Sequence, residues 1–223
     1  MCINILNSKV ANRYLLILPR PYIFVEKTDL LKYLEKKGYS EKIVAAFASI
    51  DREKFVPEHL KSYAYEDMAL PLAEGSSISQ PNTIAFMLQL LELEKSQNIL
   101  EIGTGSGFTL ALTASIVTSG TIYGLEIDPH LSIKAKERLS GFSNIHLINK
   151  SGFYGYPDKK PFDRILISAS CQEKPYYLLD QLTESGIIVA AVQDTVVQLK
   201  KIDGTVKEQV FYGFSFVPLV KRE

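Results

Sequence analysis

The segment 101–107 combines glycines with small polar residues in the order Glu-Ile-Gly-Thr-Gly-Ser-Gly. It lies between a strand predicted at 98–102 and a helix predicted at 108–118. Glycines at such a turn let the backbone bend tightly and let a ligand approach the first turn of the helix. Glu126 lies at the end of the next predicted strand, where a carboxylate can accept hydrogen bonds from both hydroxyls of a ribose. Together these features predict a site for a nucleoside-type cofactor; the alternative is a tight turn followed by a solvated glutamate.

The spacing of the glycines separates the cofactor classes. The dinucleotide fingerprint Gly-x-Gly-x-x-Gly would place its third glycine at position 108, which is Phe108 here, and Gly107 comes one residue early. An NAD-linked oxidoreductase is therefore only a distant alternative. The form Glu-x-Gly-x-Gly-x-Gly resembles motif I of the class I methyltransferases, whose cofactor S-adenosylmethionine has no pyrophosphate.

A second candidate segment, Ser77-Ile78-Ser79-Gln80-Pro81, precedes a helix predicted at 81–93. Pro81 suits the first turn of that helix. The hydroxyl of Ser79 stands where it could cap free N–H groups of the helix. It could equally face a ligand, and the two interpretations are compatible.

The elements that must position these residues alternate between strands and helices. Strands are predicted at 98–102, 121–127, 145–149, 163–169 and 186–192, with helices at 108–118, 128–139 and 176–182. Such alternation is typical of a parallel sheet covered on both faces. Asp203-Gly204 is a strong turn signal between strands predicted at 196–202 and 209–220. The prediction is an α/β fold with a Rossmann-like, doubly wound, mostly parallel sheet and a C-terminal antiparallel hairpin.

The N-terminal part of the chain has a different character. Helical spacing of apolar residues runs through 28–49, and the polar, proline-containing stretch 51–72 is typical of a covering layer. We predict that residues 1–27 are a poorly packed extension and that 28–223 form the domain. Within it, 28–95 would be a helical layer over the substrate and 96–223 the cofactor-binding core.

Several short motifs occur in the same order as in one enzyme family. They are Phe55-Val56-Pro57, Tyr65-Glu66-Asp67, Leu70-Pro71-Leu72, Ser77-Ile78-Ser79-Gln80-Pro81, Asp180-Gln181-Leu182 and Phe216-Val217-Pro218-Leu219. With the glycine-rich turn, they resemble the protein-L-isoaspartate (D-aspartate) O-methyltransferase family. The resemblance runs from about residue 42 to the C-terminus.

The resemblance implies methylation of the free α-carboxylate of L-isoaspartyl and D-aspartyl residues in damaged proteins or peptides. The ester then closes to a succinimide, which begins repair. A carboxylate is already a nucleophile at neutral pH, so the site needs no general base and its task is mostly positioning.

The family pattern also implies site residues. Glu101 would lie near the methionine amino end of S-adenosyl-L-methionine and Glu126 at its ribose. The implied cofactor residues are Glu101, Gly103, Thr104, Gly105, Ser106, Gly107, Glu126, Ile127, Ser151 and Gly152. Ser79 would be the active-site serine, and the implied substrate-binding residues are Ser77, Ile78 and Gln198.

Two segments depart from the family pattern. Lys150-Ser151-Gly152 replaces Gly-Asp-Gly, so Ser151 would face the adenine amino group without a charge. Ala191-Val192-Gln193 replaces Pro-Val-Gly near the expected peptide site. These departures leave two alternatives open: a related O-methyltransferase acting on a dedicated peptide, and a cofactor-binding module without turnover.

Composition sets limits on partners and location. The chain has 223 residues, with 25 basic and 25 acidic side chains, and nucleic-acid binders usually carry a basic excess. No apolar run approaches the roughly 18–20 residues that span a bilayer. Two cysteines, Cys2 and Cys171, fit a reducing compartment, and the scattered histidines suggest no metal site. We expect a cytoplasmic monomer that acts on proteins or peptides, without nucleic acid or membrane partners.

Overall fold

The computed structural model describes residues 26–72 and 75–219. Residues 1–25 of the extension predicted at 1–27 lie outside the described residues. Its strands are β1 (Leu70–Pro71), β2 (Ser77–Ile78), β3 (Asn98–Ile102), β4 (Thr121–Glu126), β5 (Ile145–Asn149), β6 (Phe162–Cys171), β7 (Leu182–Val192), β8 (Thr195–Ile202) and β9 (Thr205–Tyr212). In this part of the chain β3 to β9 form a seven-stranded sheet in the order β5-β4-β3-β6-β7-β8-β9. The neighbouring pairs β5-β4, β4-β3, β3-β6 and β6-β7 are parallel. The pairs β7-β8 and β8-β9 are antiparallel. The predicted Rossmann-like sheet with its antiparallel hairpin is confirmed.

Five α-helices accompany the sheet within the described ranges. They are α1 (Lys27–Lys36), α2 (Glu41–Ser49), α3 (Pro81–Leu91), α4 (Phe108–Ile116) and α5 (Pro129–Arg138). Helix α4 is apolar on nearly every side and is buried between the sheet and α2, as expected for a helix in the interior of a layered fold. No helix in the described part of the chain is both long and apolar enough to span a membrane.

Apolar side chains cover both faces of the sheet. One cluster joins the N-terminal helices, α3 and α4 to one face, and a second fills the other face around Leu100, Phe162 and Ile188. The central strands are therefore buried on both sides, which is why β3 and the second half of β7 are nearly continuous apolar runs in the sequence, whereas the edge strand β5 is partly exposed.

The segment predicted as a helix at 176–182 is instead a 3-10 helix, Tyr176–Gln181, followed directly by β7. The Gln181 carboxamide bonds the backbone of Tyr154 and Tyr156, so tertiary contacts hold this short turn. Strand β7 also begins earlier than predicted. Ser185 adopts a positive φ of 65°, where the pairing of β7 with β6 shifts its register.

The C-terminal hairpin differs from its prediction at the second strand. Asp203 and Gly204 both have positive φ, as a two-residue hairpin turn requires, so pairing resumes at once between Ile202 and Thr205. Strand β9 ends at Tyr212, and the chain then turns at Gly213, where φ is 93°. Residues 214–219 leave the hairpin and run to the end of β6, where Ser170 exchanges backbone hydrogen bonds with Val217 and Leu219.

Candidate functional site

A cavity opens at the carboxyl ends of β3, β4 and β6, where parallel sheets usually hold ligands. We call it the glycine-loop cavity because residues 103–106 form its floor. It brings together most of the site residues predicted from the sequence: Ser77, Ile78, Ser79, Glu101, Gly103, Thr104, Gly105, Ser106, Glu126 and Ile127. Three chain segments that are distant in sequence therefore meet at one edge of the sheet.

Glu126 fixes the glycine-rich turn from the neighbouring strand. Its Oε2 accepts a hydrogen bond from the Gly105 N–H at 2.7 Å, and its Oε1 accepts one from the Asp128 N–H at 2.9 Å. Gly107 is the N-cap of α4 with φ at 85°, and a Cβ there would lie 2.9 Å from Leu139 Cδ1. Each Glu126 oxygen retains acceptor capacity toward the cavity, because a carboxylate offers about four lone-pair sites.

Glu101 is a buried carboxyl group at the base of the cavity, with 1% of its surface exposed. The Ser168 hydroxyl donates to its Oε1 at 3.0 Å, and Oε2 has no hydrogen-bond partner among the described residues. Burial raises the pKa of Glu101 to about 8; the Ser168 hydrogen bond opposes this shift and the nearby Glu126 charge adds to it. A buried carboxyl with an unpaired oxygen facing a cavity is suited to receive a cationic group.

A second cavity of about 640 Å³ adjoins the first and shares Ser77, Ser79, Ser168 and Val217 with it. We call it the serine cavity. Its other walls come from the start of α3 and from residues 213–217. Among the described residues that line it, none carries a titratable side chain, so its polar groups are hydroxyls, amides and backbone.

Ser79 lies where the two cavities meet, but it does not cap α3. The helix begins at Pro81 with Gln80 as its N-cap. The capping hydrogen bond comes instead from Asp67, whose Oδ1 accepts from the Asn82 N–H at 2.8 Å. The capping interpretation of Ser79 is therefore wrong, because a loop carboxylate from an earlier segment has taken that role.

Four predicted site residues lie outside both cavities. Gly107 shapes the turn from beneath. Ser151 accepts a weak hydrogen bond from the Phe153 N–H within its own turn, and a Cβ on Gly152 would lie 2.6 Å from Ile102 Cγ2. Both follow β5, beside the end of β4.

Gln198 is the fourth of these residues, and it is 2% exposed. It lies under α3, where its Nε2 donates to the Leu90 carbonyl near the helix C-terminus. In this position it fastens a helix to the sheet and does not reach a ligand cavity.

Sequence reasoning also missed residues that line the glycine-loop cavity. They are Ser76, Thr109, Asp128, Ser168, Ala169, Val217, Pro218 and Leu219. The Phe-Val-Pro-Leu motif at 216–219 was a usable signal, because its backbone bonds to β6 draw it across the cavity mouth. No group of three or more His, Cys, Asp or Glu side chains in the described ranges is arranged to hold a metal ion.

A model of the protein-L-isoaspartate(D-aspartate) O-methyltransferase (PCMT) family matches residues 25–223. The chain belongs to this family. It is 36% identical over 208 residues to a protein-L-isoaspartate O-methyltransferase from Ignicoccus hospitalis, covering 89% of this chain and 99% of that one. It is 37% identical over 198 residues to the protein-L-isoaspartate O-methyltransferase from Thermosipho melanesiensis, covering 86% of this chain and 100% of that one.

Solved PCMT structures share the fold. One protein-L-isoaspartate O-methyltransferase superposes with a TM-score of 0.81 at 27% identity, over 88% of this chain and 66% of that longer one. The PCMT chain from Plasmodium falciparum, solved in complex with S-adenosyl-L-homocysteine, gives a TM-score of 0.78 at 22% identity, over 90% and 100% of the two chains. This second likeness concerns the fold alone.

Proposed function

We propose that this PCMT chain transfers a methyl group from S-adenosyl-L-methionine to the free α-carboxylate of L-isoaspartyl and D-aspartyl residues in damaged proteins or peptides. The main structural support is the pair of contiguous cavities that meet at Ser79 and Ser168. One is lined by carboxyl groups suited to a cationic cofactor, and the other by neutral hydroxyls and amides suited to a peptide. The names and extents of the relatives support the same activity.

The residues of the glycine-loop cavity fit the proposed cofactor. Glu101 offers an unpaired buried oxygen to the methionine amino group, and Glu126 offers both oxygens to the ribose hydroxyls. Thr104 adds a buried hydroxyl that has no partner among the described residues. Gly103, Gly105 and Ser106 complete the floor, and Ile127 the wall. Ser151 and Gly152 follow the adjoining strand and would meet the adenine end from outside the cavity.

The serine cavity fits the acceptor because the reaction needs orientation and no proton acceptor. The bound cofactor supplies a methyl group on a positively charged sulfur, and its transfer to a carboxylate oxygen moves no proton. Ser79 and Ser77 can donate hydrogen bonds that orient the carboxylate, and Ile78 supplies an apolar surface beside them. The absence of a titratable side chain among the described lining of this cavity agrees with that chemistry.

The proposal is tested by transfer of labelled methyl from S-adenosyl-L-methionine to matched peptides that contain isoaspartate or aspartate. We expect base-labile methyl ester on the isoaspartyl peptide alone. If neither peptide is methylated by folded, cofactor-bound protein, the repair activity is refuted. Methylation of an unrelated peptide carboxylate would then indicate a dedicated substrate.

Replacing Ser79 with alanine tests its proposed role as the active-site serine. We expect kcat/KM for the isoaspartyl peptide to fall about tenfold and the affinity for S-adenosyl-L-methionine to stay within about twofold, because one hydrogen bond to the acceptor carboxylate is lost. Initial rates and titration calorimetry measure the two quantities. Full activity in this variant would remove Ser79 from the reaction, and since it does not cap α3, no capping effect confuses the result.

We also propose that residues 28–95 act as the layer covering the substrate, above a cofactor core at 96–223. Asp67 and Arg52 of this layer bond the backbone around the serine cavity, which supports that division. We further propose a cytoplasmic monomer. The balanced charge and the free, buried Cys171 thiol are consistent with it.

A further inference from the structure

Arg52 is a buried arginine directly behind residues 77–81, here called the serine segment, and 1% of its surface is exposed. Its guanidinium donates to the backbone carbonyls of Ala64, Met68 and Ser79, at 2.5, 3.3 and 2.9 Å. It also lies 5.9 Å from the centre of the Phe108 ring, at the first residue of the helix that follows the glycine-rich turn. One side chain thus connects the serine segment to the cofactor side of the site.

The bonding of Arg52 is unusual for a buried cation. Carbonyl groups from three segments surround it, and no carboxylate in the described ranges forms an ion pair with it. Burial lowers its pKa to about 9, with the charge of Asp67 opposing that shift, so the group is still protonated at neutral pH. Burying a charge without a bonded counterion is costly, and a complementary charge brought by a ligand would offset that cost.

The charges around the two cavities show what such a ligand would be. Glu101, Glu126 and Asp128 line the glycine-loop cavity, and no Lys, Arg or His in the described part of the chain lines either cavity. An anionic acceptor in the serine cavity therefore meets no basic side chain in the described lining, and the carboxyl groups of the adjoining cavity offer it no attraction. Arg52, whose Nη2 is 2.9 Å from the Ser79 carbonyl, is the cation placed behind the point where the acceptor would bind.

We propose that Arg52 is a positioning residue that makes the site selective for an anionic acceptor. By binding the Ser79 carbonyl, it turns that oxygen away from the serine cavity and keeps it from repelling a carboxylate. The buried positive charge of Arg52 also attracts the acceptor carboxylate, from the other side of the segment that carries Ser79. This inference rests on the proposed function, because it assumes that the acceptor binds beside Ser79.

The test compares the binding of two peptides in the presence of S-adenosyl-L-homocysteine, which has no methyl group to transfer. One peptide carries the free α-carboxylate of isoaspartate and the other its neutral α-carboxamide. We expect the wild-type protein to prefer the carboxylate at least tenfold, since a complementary charge discriminates strongly against a mismatched ligand. Arg52→Met should reduce that preference about tenfold, whereas Arg52→Lys should bind both peptides more weakly and keep most of the preference.

Arg164→Met is the matched control. Arg164 is partly buried and, like Arg52, binds backbone carbonyls, but it does so at the far end of α3, at Leu91 and Glu92. This variant should lose stability and keep the wild-type preference. An equal loss of affinity for both peptides in Arg52→Met, a lost preference in folded Arg52→Lys, or no preference in the wild type would each overturn the inference. The labelled-methyl assay of the wild type decides the proposed function separately, because these binding measurements involve no turnover.

Discussion

Replacing Glu126 with alanine is expected to weaken S-adenosyl-L-methionine binding by at least tenfold. In the proposed complex the carboxylate receives both ribose hydroxyls, and hydrogen bonds to a charged group contribute roughly 1.5–3 kcal/mol each. The same carboxylate also accepts the N–H groups of Gly105 and Asp128, so its loss releases the turn that forms the cavity floor. Titration calorimetry with the cofactor measures the change directly.

Asn149→Ala provides a control for general damage at this strand end. Asn149 donates to the backbone carbonyls of Glu126 and Ile127 but does not line the cavity. Its removal should lower the melting temperature and leave cofactor affinity within about threefold, since only one neutral side chain is lost. An unchanged affinity in folded Glu126→Ala would remove the ribose role.

The cofactor half of the site could be predicted because its signals are local. A short apolar strand, a glycine-rich turn and an acid at the next strand end follow one another in sequence, and the parallel pairing of β3 with β4 then brings Glu126 to Gly105. The extents of β3 and β4 were predictable for the same reason, since each is a mostly buried, mostly apolar run. Strand β9 was placed too late because aromatic residues near 211–216 continue the pattern of a strand after Gly213 has turned the chain away.

The substrate half depends on contacts between segments that are far apart in sequence. Ser168 looks like an ordinary residue of a buried strand until β6 places it beside Glu101 and at the meeting point of both cavities. Asp67 caps α3 from a separate loop, which no pattern within the helix could reveal. Gln198 shows the opposite case: the family pattern drew attention to it, and the structure buries it under α3.

The second large effect is expected at Glu101, where replacement by glutamine should weaken cofactor binding about tenfold to a hundredfold at pH 8, since a charge-assisted hydrogen bond is lost. In the free protein Glu101 has a pKa of about 8, so at pH 6 it is protonated. A bound amino group favours the ionised form, and wild-type affinity should therefore rise between pH 6 and pH 8. Glutamine cannot ionise, so the variant should show little pH dependence and should approach the wild type at pH 6.

The same pKa shift fixes the sign of the stability change in the free protein. The unfolded chain ionises Glu101 near its ordinary pKa of 4.5, whereas the folded protein keeps the proton until about pH 8. Stability should therefore fall as pH rises through that interval, and Glu101→Gln should remove that part of the decrease.

Ser168→Ala tests the same assignment through cofactor affinity. The Ser168 hydroxyl lowers the pKa of Glu101, so its loss should move the rise of cofactor affinity with pH to higher pH. If cofactor affinity varied with pH in the same way in the wild type and in Glu101→Gln, Glu101 would not be the group that binds the amino end of S-adenosyl-L-methionine.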